Sequence, residues 1–138
     1  MKELNTILAA INMSTFDDEV IKRAVLLAKE NDVQLHIIYA IDISVIDIEI
    51  SLDSFKKKID ENDIKRKITQ KLTSIDASKE VEYFIHIAVG DAEEQVVHLA
   101  KKIRADLIIL GSQPKIKIEN YYLGSFENNI AKKVLWLF

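Results

Sequence analysis

Leu107 to Leu110 is an unbroken apolar run that ends at Gly111. A strand with no polar alternation must be covered on both faces, the condition of a parallel strand held between two layers of helices. A glycine directly after it lets the backbone turn tightly. Further on, Gly124-Ser125 opens a short segment before the apolar end of the chain. A glycine and a hydroxyl at a helix start present free backbone N–H groups, the positive end of the helix dipole and one side-chain donor, which together suit a phosphate.

The rest of the chain repeats this plan. Thr6 to Asn12 is a near-continuous apolar run, so a central strand is expected, with Asn12 at its carboxyl end. Ser14 stands three residues before Asp17 in the manner of a capping box, and Asp17, Asp18 and Glu19 complement the dipole of the helix that follows. Val20, Ala24, Leu27 and Ala28 give that helix its apolar stripe, to about Asn31. Val33 to Asp42 reads as the second strand. His36 inside it has no second histidine or acid spaced to help it, so it reads as a core or strand-edge residue.

Residues 44–53 alternate Ile46, Ile48, Ile50 and Leu52 with Asp47, Glu49 and Ser51, the period of a half-buried strand. A surface connection, a flap over a ligand and an extra strand at an interface all fit that pattern. Ser54 to Thr73 reads as a helix with the narrow stripe Phe55, Ile59, Ile64, Ile68, Leu72. Its charges pair at i,i+4, as in Asp63 with Lys67, so its basic cluster reads as a solvated face. Glu80 to Val89 is the third strand. Asp91, with Glu94 three residues later, is placed to cap a helix that turns Val96, Val97, Ala100 and Ile103 to the sheet. Phe126 to Lys132 has room for about two turns of helix, and Val134 to Phe138 closes the chain as an apolar strand.

Strand and helix alternating in this way imply an α/β fold: one doubly wound parallel sheet of five strands, with right-handed crossovers and helices on both faces. In such sheets ligands bind beyond the carboxyl ends of the strands, where the winding reverses. A chain of 138 residues with no linker-like stretch is expected to be one domain, residues 1–138. The absence of cysteine excludes disulfides, thiolate metal sites and thiol catalysis. No apolar run approaches the ~18 residues of a membrane span, and no signal peptide is legible, so a cytoplasmic protein without a membrane role is expected. A net charge of -3 argues against nucleic-acid binding, and no aromatics interleave the lysines of the basic segment.

The chain resembles the universal stress protein family over nearly its whole length. The residues that carry the resemblance are Ile7 to Ser14, then Val89-Gly90-Asp91, then Ala105 to Ser112, then Gly124-Ser125. The family's nucleotide-binding members carry Gly-x-x-Gly, nine residues, then Gly-Ser or Gly-Thr. Here Gly111, position 114, nine residues and Gly124-Ser125 keep that count. The resemblance implies a sheet of order 3-2-1-4-5, a stress-response role without a well-defined reaction, a homodimer through the last strand, and in some members bound ATP. An unpaired apolar terminal strand invites the same pairing on physical grounds. By resemblance Ala10 and Ala40 would line a base pocket, with Gly111, Gly124 and Ser125 at the ribose and phosphates; Asn12, Gln113 and Phe126 complete the expected nucleotide-binding set. ADP and AMP are alternatives to ATP.

Two positions depart from the family pattern. Pro114 stands where the second loop glycine would be; it has no N–H to donate and holds φ near -65°. Asn12 stands where an acid usually ends the first strand, and a neutral amide is a poor Mg²⁺ ligand. Two functions therefore remain open at this level: a dimeric regulatory protein that binds an adenine nucleotide, and the same fold with an emptied pocket acting through its surfaces. An enzyme ranks below both, because no nucleophile stands beside a base and no metal-spaced ligands are present.

Overall fold

The computed structural model describes residues 5–11, 17–42, 60–77, 79–111 and 133–136. The chain runs β1 (Thr6–Ile11), α1 (Asp17–Asn31), β2 (Gln34–Asp42), α2 (Glu61–Ile75), β3 (Tyr83–Gly90), α3 (Ala92–Ile103) and β4 (Leu107–Leu110). These four strands form a parallel sheet in which β1 lies between β2 and β4, and β3 lies outside β2. Beyond β4, Lys133–Trp136 is extended and runs parallel to it. The α/β architecture expected from the alternating pattern is therefore present.

The central strands earn their position by composition. Ile7, Leu8 and Ala9 of β1 and Ile108 and Ile109 of β4 are fully buried, so each face of the sheet is covered. On one face, Ile7, Ala9, Leu35, Ile37 and Ile109 meet Val20, Ile21, Ala24 and Val25 of α1 and Ile68 and Leu72 of α2. On the other, Leu8, Ala10, Ile38, Ile108 and Leu110 meet Val96, Val97, Leu99 and Ala100 of α3. At about 1.5–3 kcal/mol for each fully buried large aliphatic side chain, these two layers supply the main driving force. Because α1 and α2 lie on one face and α3 on the other, the winding reverses between β1 and β4.

Several local expectations hold. The carboxylate of Asp91 accepts from the backbone N–H of Glu94 at 2.9 Å and starts α3. Asp63 pairs with Lys67 at 3.2 Å on α2, and also with Arg66. Other boundaries move. Val81, expected inside the third strand, lies before it; its N–H is taken by the side chain of Asp76 at 2.9 Å rather than by a neighbouring strand. The described part of the second helix begins at the cap Asp60, whose side chain accepts from the Asp63 N–H, and runs past Thr73 to Ile75. The expected Ser14 cap, the 44–53 segment, Phe55 and Ile59, the short helix 126–132 and the last two residues of the terminal strand lie outside the described residues.

Candidate functional site

The register of the strands shapes the carboxyl edge of the sheet. Ala10 of β1 is paired with Ile38 of β2 on one side and Leu110 of β4 on the other, and β1 ends one residue later at Ile11, opposite Tyr39. Strands β2 and β3 continue together for three more pairs, Ala40 with Ala88, Ile41 with Val89 and Asp42 with Gly90. At ~3.3 Å per residue, they rise about 10 Å above the end of β1 and one residue more above that of β4. Among the described residues, the step outlines a recess over the point where the winding reverses, with β2 and β3 as one wall.

Small residues line the α3 side of that recess. Ala10, Ile38, Ala40 and Ala88 belong to the same packed layer, and Gly111 follows Leu110 as a buried residue. Of the residues expected at a nucleotide site, the structure thus places Ala10, Ala40 and Gly111 at one edge, on three adjacent strands. Asn12, Gln113, Gly124, Ser125 and Phe126 lie outside the described residues, as does Pro114.

Four further residues belong to this edge, none of them named from the sequence as part of a nucleotide site. Ala88 sits beside Ala40 on the wall; the small-residue alternation Ala40, Ala88 could have marked it only once the register of β2 on β3 was known. Gly90 closes β3 with φ +155°, and a Cβ built there would stand 2.9 Å from Nε2 of Gln95 on α3. That glycine allows strand and helix to meet at a tight turn. Asp17, expected only to complement the dipole of α1, is buried, with 2% of its surface exposed. Tyr39, at the end of the β1 pairing, has its phenol pushed above the ordinary value by burial and by the charge of Asp17. This edge is thus apolar on its α3 side, and a buried carboxylate, Asp17, stands at the start of α1 and acts on Tyr39.

The lone-histidine reading of His36 is corrected by the structure. His36 Nδ1 lies 2.9 Å from Nε2 of His86, fifty residues away on β3, and Phe84 stacks on the His36 ring with centroids 4.8 Å apart. The partner was hidden because cross-strand neighbours are set by register, not by spacing along the chain. Among the described residues, no group of three or more His, Cys, Asp or Glu side chains could hold a metal ion. No helix among them is long and apolar enough to cross a membrane.

Comparison with known proteins agrees with this fold. The model of the family described as "Universal stress protein family" matches residues 3–135. Universal stress protein A homolog 1 of Coxiella burnetii is 27% identical over 128 residues, covering 90% of this chain and 86% of that protein. Among solved structures, the universal stress protein UspA from Lactobacillus plantarum superposes with a TM-score of 0.74 at 17% identity, over 98% of both chains. A universal stress protein solved in complex with cAMP superposes with a TM-score of 0.64 at 20% identity, over 97% of this chain and 96% of that one.

Proposed function

The chain belongs to the universal stress protein family, and from that premise we propose that it is a regulatory protein that binds an adenine nucleotide in the recess above β1 and β4. The observation that carries this reading is the meeting of Ala10, Ala40 and Gly111 at the carboxyl ends of three adjacent strands, at the reversal of winding. Small residues there accommodate a purine. The loop count from Gly111 to Gly124-Ser125 supports it, since that spacing would bring helix-terminus N–H donors to the phosphates. A relative of similar fold was solved with cAMP, which makes the adenine moiety the common element. ATP is the proposed ligand, with ADP and AMP as alternatives. Because Asn12 is a weak Mg²⁺ ligand and the sequence sets no nucleophile beside a base, the role proposed is sensing and not turnover.

Calorimetric titration of the purified chain with ATP and Mg²⁺ tests this. Micromolar binding that Gly124→Val weakens at least tenfold is the expected result. Absence of binding, together with no nucleotide released on acid extraction, would overturn it. That outcome favours the second reading, which Pro114 supports: an emptied pocket in a protein that works through its surfaces.

For the assembly, we propose that Lys133–Trp136 completes a five-stranded sheet in the order β3-β2-β1-β4-β5, the residue range 133–136 being β5. The pairing of Leu107 with Lys133 through Leu110 with Trp136 supports this order. An apolar strand at that edge favours pairing with a second copy. Leu135→Lys is expected to convert a dimer to a soluble monomer by light scattering, and an unchanged mass would remove the strand-pairing idea. A single domain over residues 1–138 and a cytoplasmic setting are parts of the same proposal.

A further inference from the structure

The half-buried pair His36 and His86 stands apart from the recess, on the α3 side of β2 and β3 toward the amino ends of those strands. We propose that this pair is an acid-sensitive latch that fastens the outer strand β3 to β2: it holds with no proton or one proton added, and opens when both rings are charged.

The geometry demands this order. The two rings are 17° from parallel with centroids 5.1 Å apart, and His36 Nδ1 and His86 Nε2 approach to 2.9 Å, so the rings are joined at their edges through a nitrogen–nitrogen hydrogen bond. Such a bond needs one N–H and one lone pair, so only one of the two facing nitrogens carries a proton. The first added proton goes to a nitrogen on the far side of a ring, or is shared across the contact. Either way the N–H···N bond survives, now charge-assisted. The second proton removes the last facing lone pair. Two N–H groups then point at each other, and two positive rings share a half-buried site.

The surroundings add to that repulsion. Burial holds both imidazoles below the ordinary value of 6.5. His36 is lowered further by His86, and His86 by Lys102 of α3 and Lys65 of α2. Among the described residues, the charges that shift the pair are therefore positive. Phe84 covers one face of His36 while being 39% exposed itself, so the ring that would have to swing out has a path to water. Among the described strands, β3 is bonded only to β2, so a side-chain tie at this register bears on the strand with the fewest alternatives.

The sign of the pH dependence follows. The unfolded chain takes up these protons near pH 6.5, before the folded one does, so this contribution to stability is complete above pH 6.5 and declines as pH falls below it. Loss from carboxylates comes at lower pH, near their ordinary value of 3.8.

The test is an NMR titration of the histidine rings in the full chain from pH 8 to 4.5, with amide-exchange protection factors for Ile85 and Ile87 read at each pH. Two coupled steps below 6.5, separated at least tenfold in proton concentration, are expected. Protection of Ile85 and Ile87 should fall at least tenfold at the second step, while that of Leu8 and Ala9 in β1 holds. His86→Gln keeps a hydrogen-bonding group and removes one titration, so it should show a single step and no acid loss of β3 protection. Should that variant not fold, His36→Gln gives the same reading from the other side. Independent titration of the two rings, or an acid loss of β3 protection that persists in either variant, would overturn the latch.

Discussion

The two edges of the sheet are built from opposite materials. At the amino edge, carboxylates reach across the chain to hold backbone donors. Asp106 accepts from the N–H groups of Asn5 and Thr6 at 2.7 and 3.0 Å. Asp76, with its side chain fully buried, accepts from the N–H groups of Glu80 and Val81 and from Lys29 Nζ at 3.0 Å. At the carboxyl edge, the described residues on the α3 side include Ala10, Ala40, Ala88 and Gly111, which have little to offer one another. The contrast teaches where the fold invests its polar contacts. Satisfied donors fix the amino ends of the strands, and small residues stand on the α3 side of the other ends.

The largest expected effect comes from breaking the first edge. Asp76→Ala leaves two backbone donors without their acceptor and Lys29 with only the longer contact to Glu80 at 3.8 Å, and should cost about 2–5 kcal/mol in urea unfolding at pH 7. Burial alone would raise the Asp76 carboxyl, but the bonds from Val81, Lys29 and Glu80 outweigh it and hold it below 3.8. Its stabilisation is therefore full above that value and lost as pH falls through the folded value, a decline that the Ala variant should lack. A cost under about 1 kcal/mol for Asp76→Ala would mean that the amino edge is not held in this way.

A change at the opposite edge should separate function from stability. Ala40→Leu adds bulk to a half-exposed wall, so unfolding is expected to shift by about 1 kcal/mol or less. Adenine-nucleotide affinity, read by calorimetry, should fall tenfold or more because the added side chain enters the recess. A variant that binds as the parent does would place the nucleotide elsewhere.

The smallest effect refines the amino edge further. The three helix-to-strand turns there each carry a non-glycine residue in the left-handed region: Asp32 at φ 53°, Lys79 at φ 55° and Arg104 at φ 56°. Arg104 ends α3, with its N–H on the carbonyl of Ala100. Removing the left-handed penalty of ~1–2 kcal/mol while adding the entropy cost of glycine predicts that Arg104→Gly gains up to about 1 kcal/mol. A loss on thermal unfolding would show that the Arg104 side chain contributes more than its backbone strain costs.

The order of elements was legible because each signal is local. An apolar run bounded by Gly111, a stripe at helical spacing in α1, and Asp91 three residues before Glu94 are all read within one or two turns of chain, and each formed where expected. The start of β3 was not, since Val81 has a strand-forming side chain but gives its N–H to Asp76. At the candidate site, Ala10, Ala40 and Gly111 could be named by resemblance, whereas Ala88 could not, because it matters only through the register of β3 on β2.

By itself, then, the sequence determined which segments became strands and helices, which faces they bury and where the winding can reverse, since hydrophobic period and capping act over a few residues. Tertiary structure alone decided that Asp106 meets Asn5 and Thr6, that Lys29 meets Asp76, and that His36 meets His86. These partners stand tens of residues apart, and what brings them together is the order and register of parallel strands. That register is set by burying two apolar layers at once, and no spacing along the chain records it.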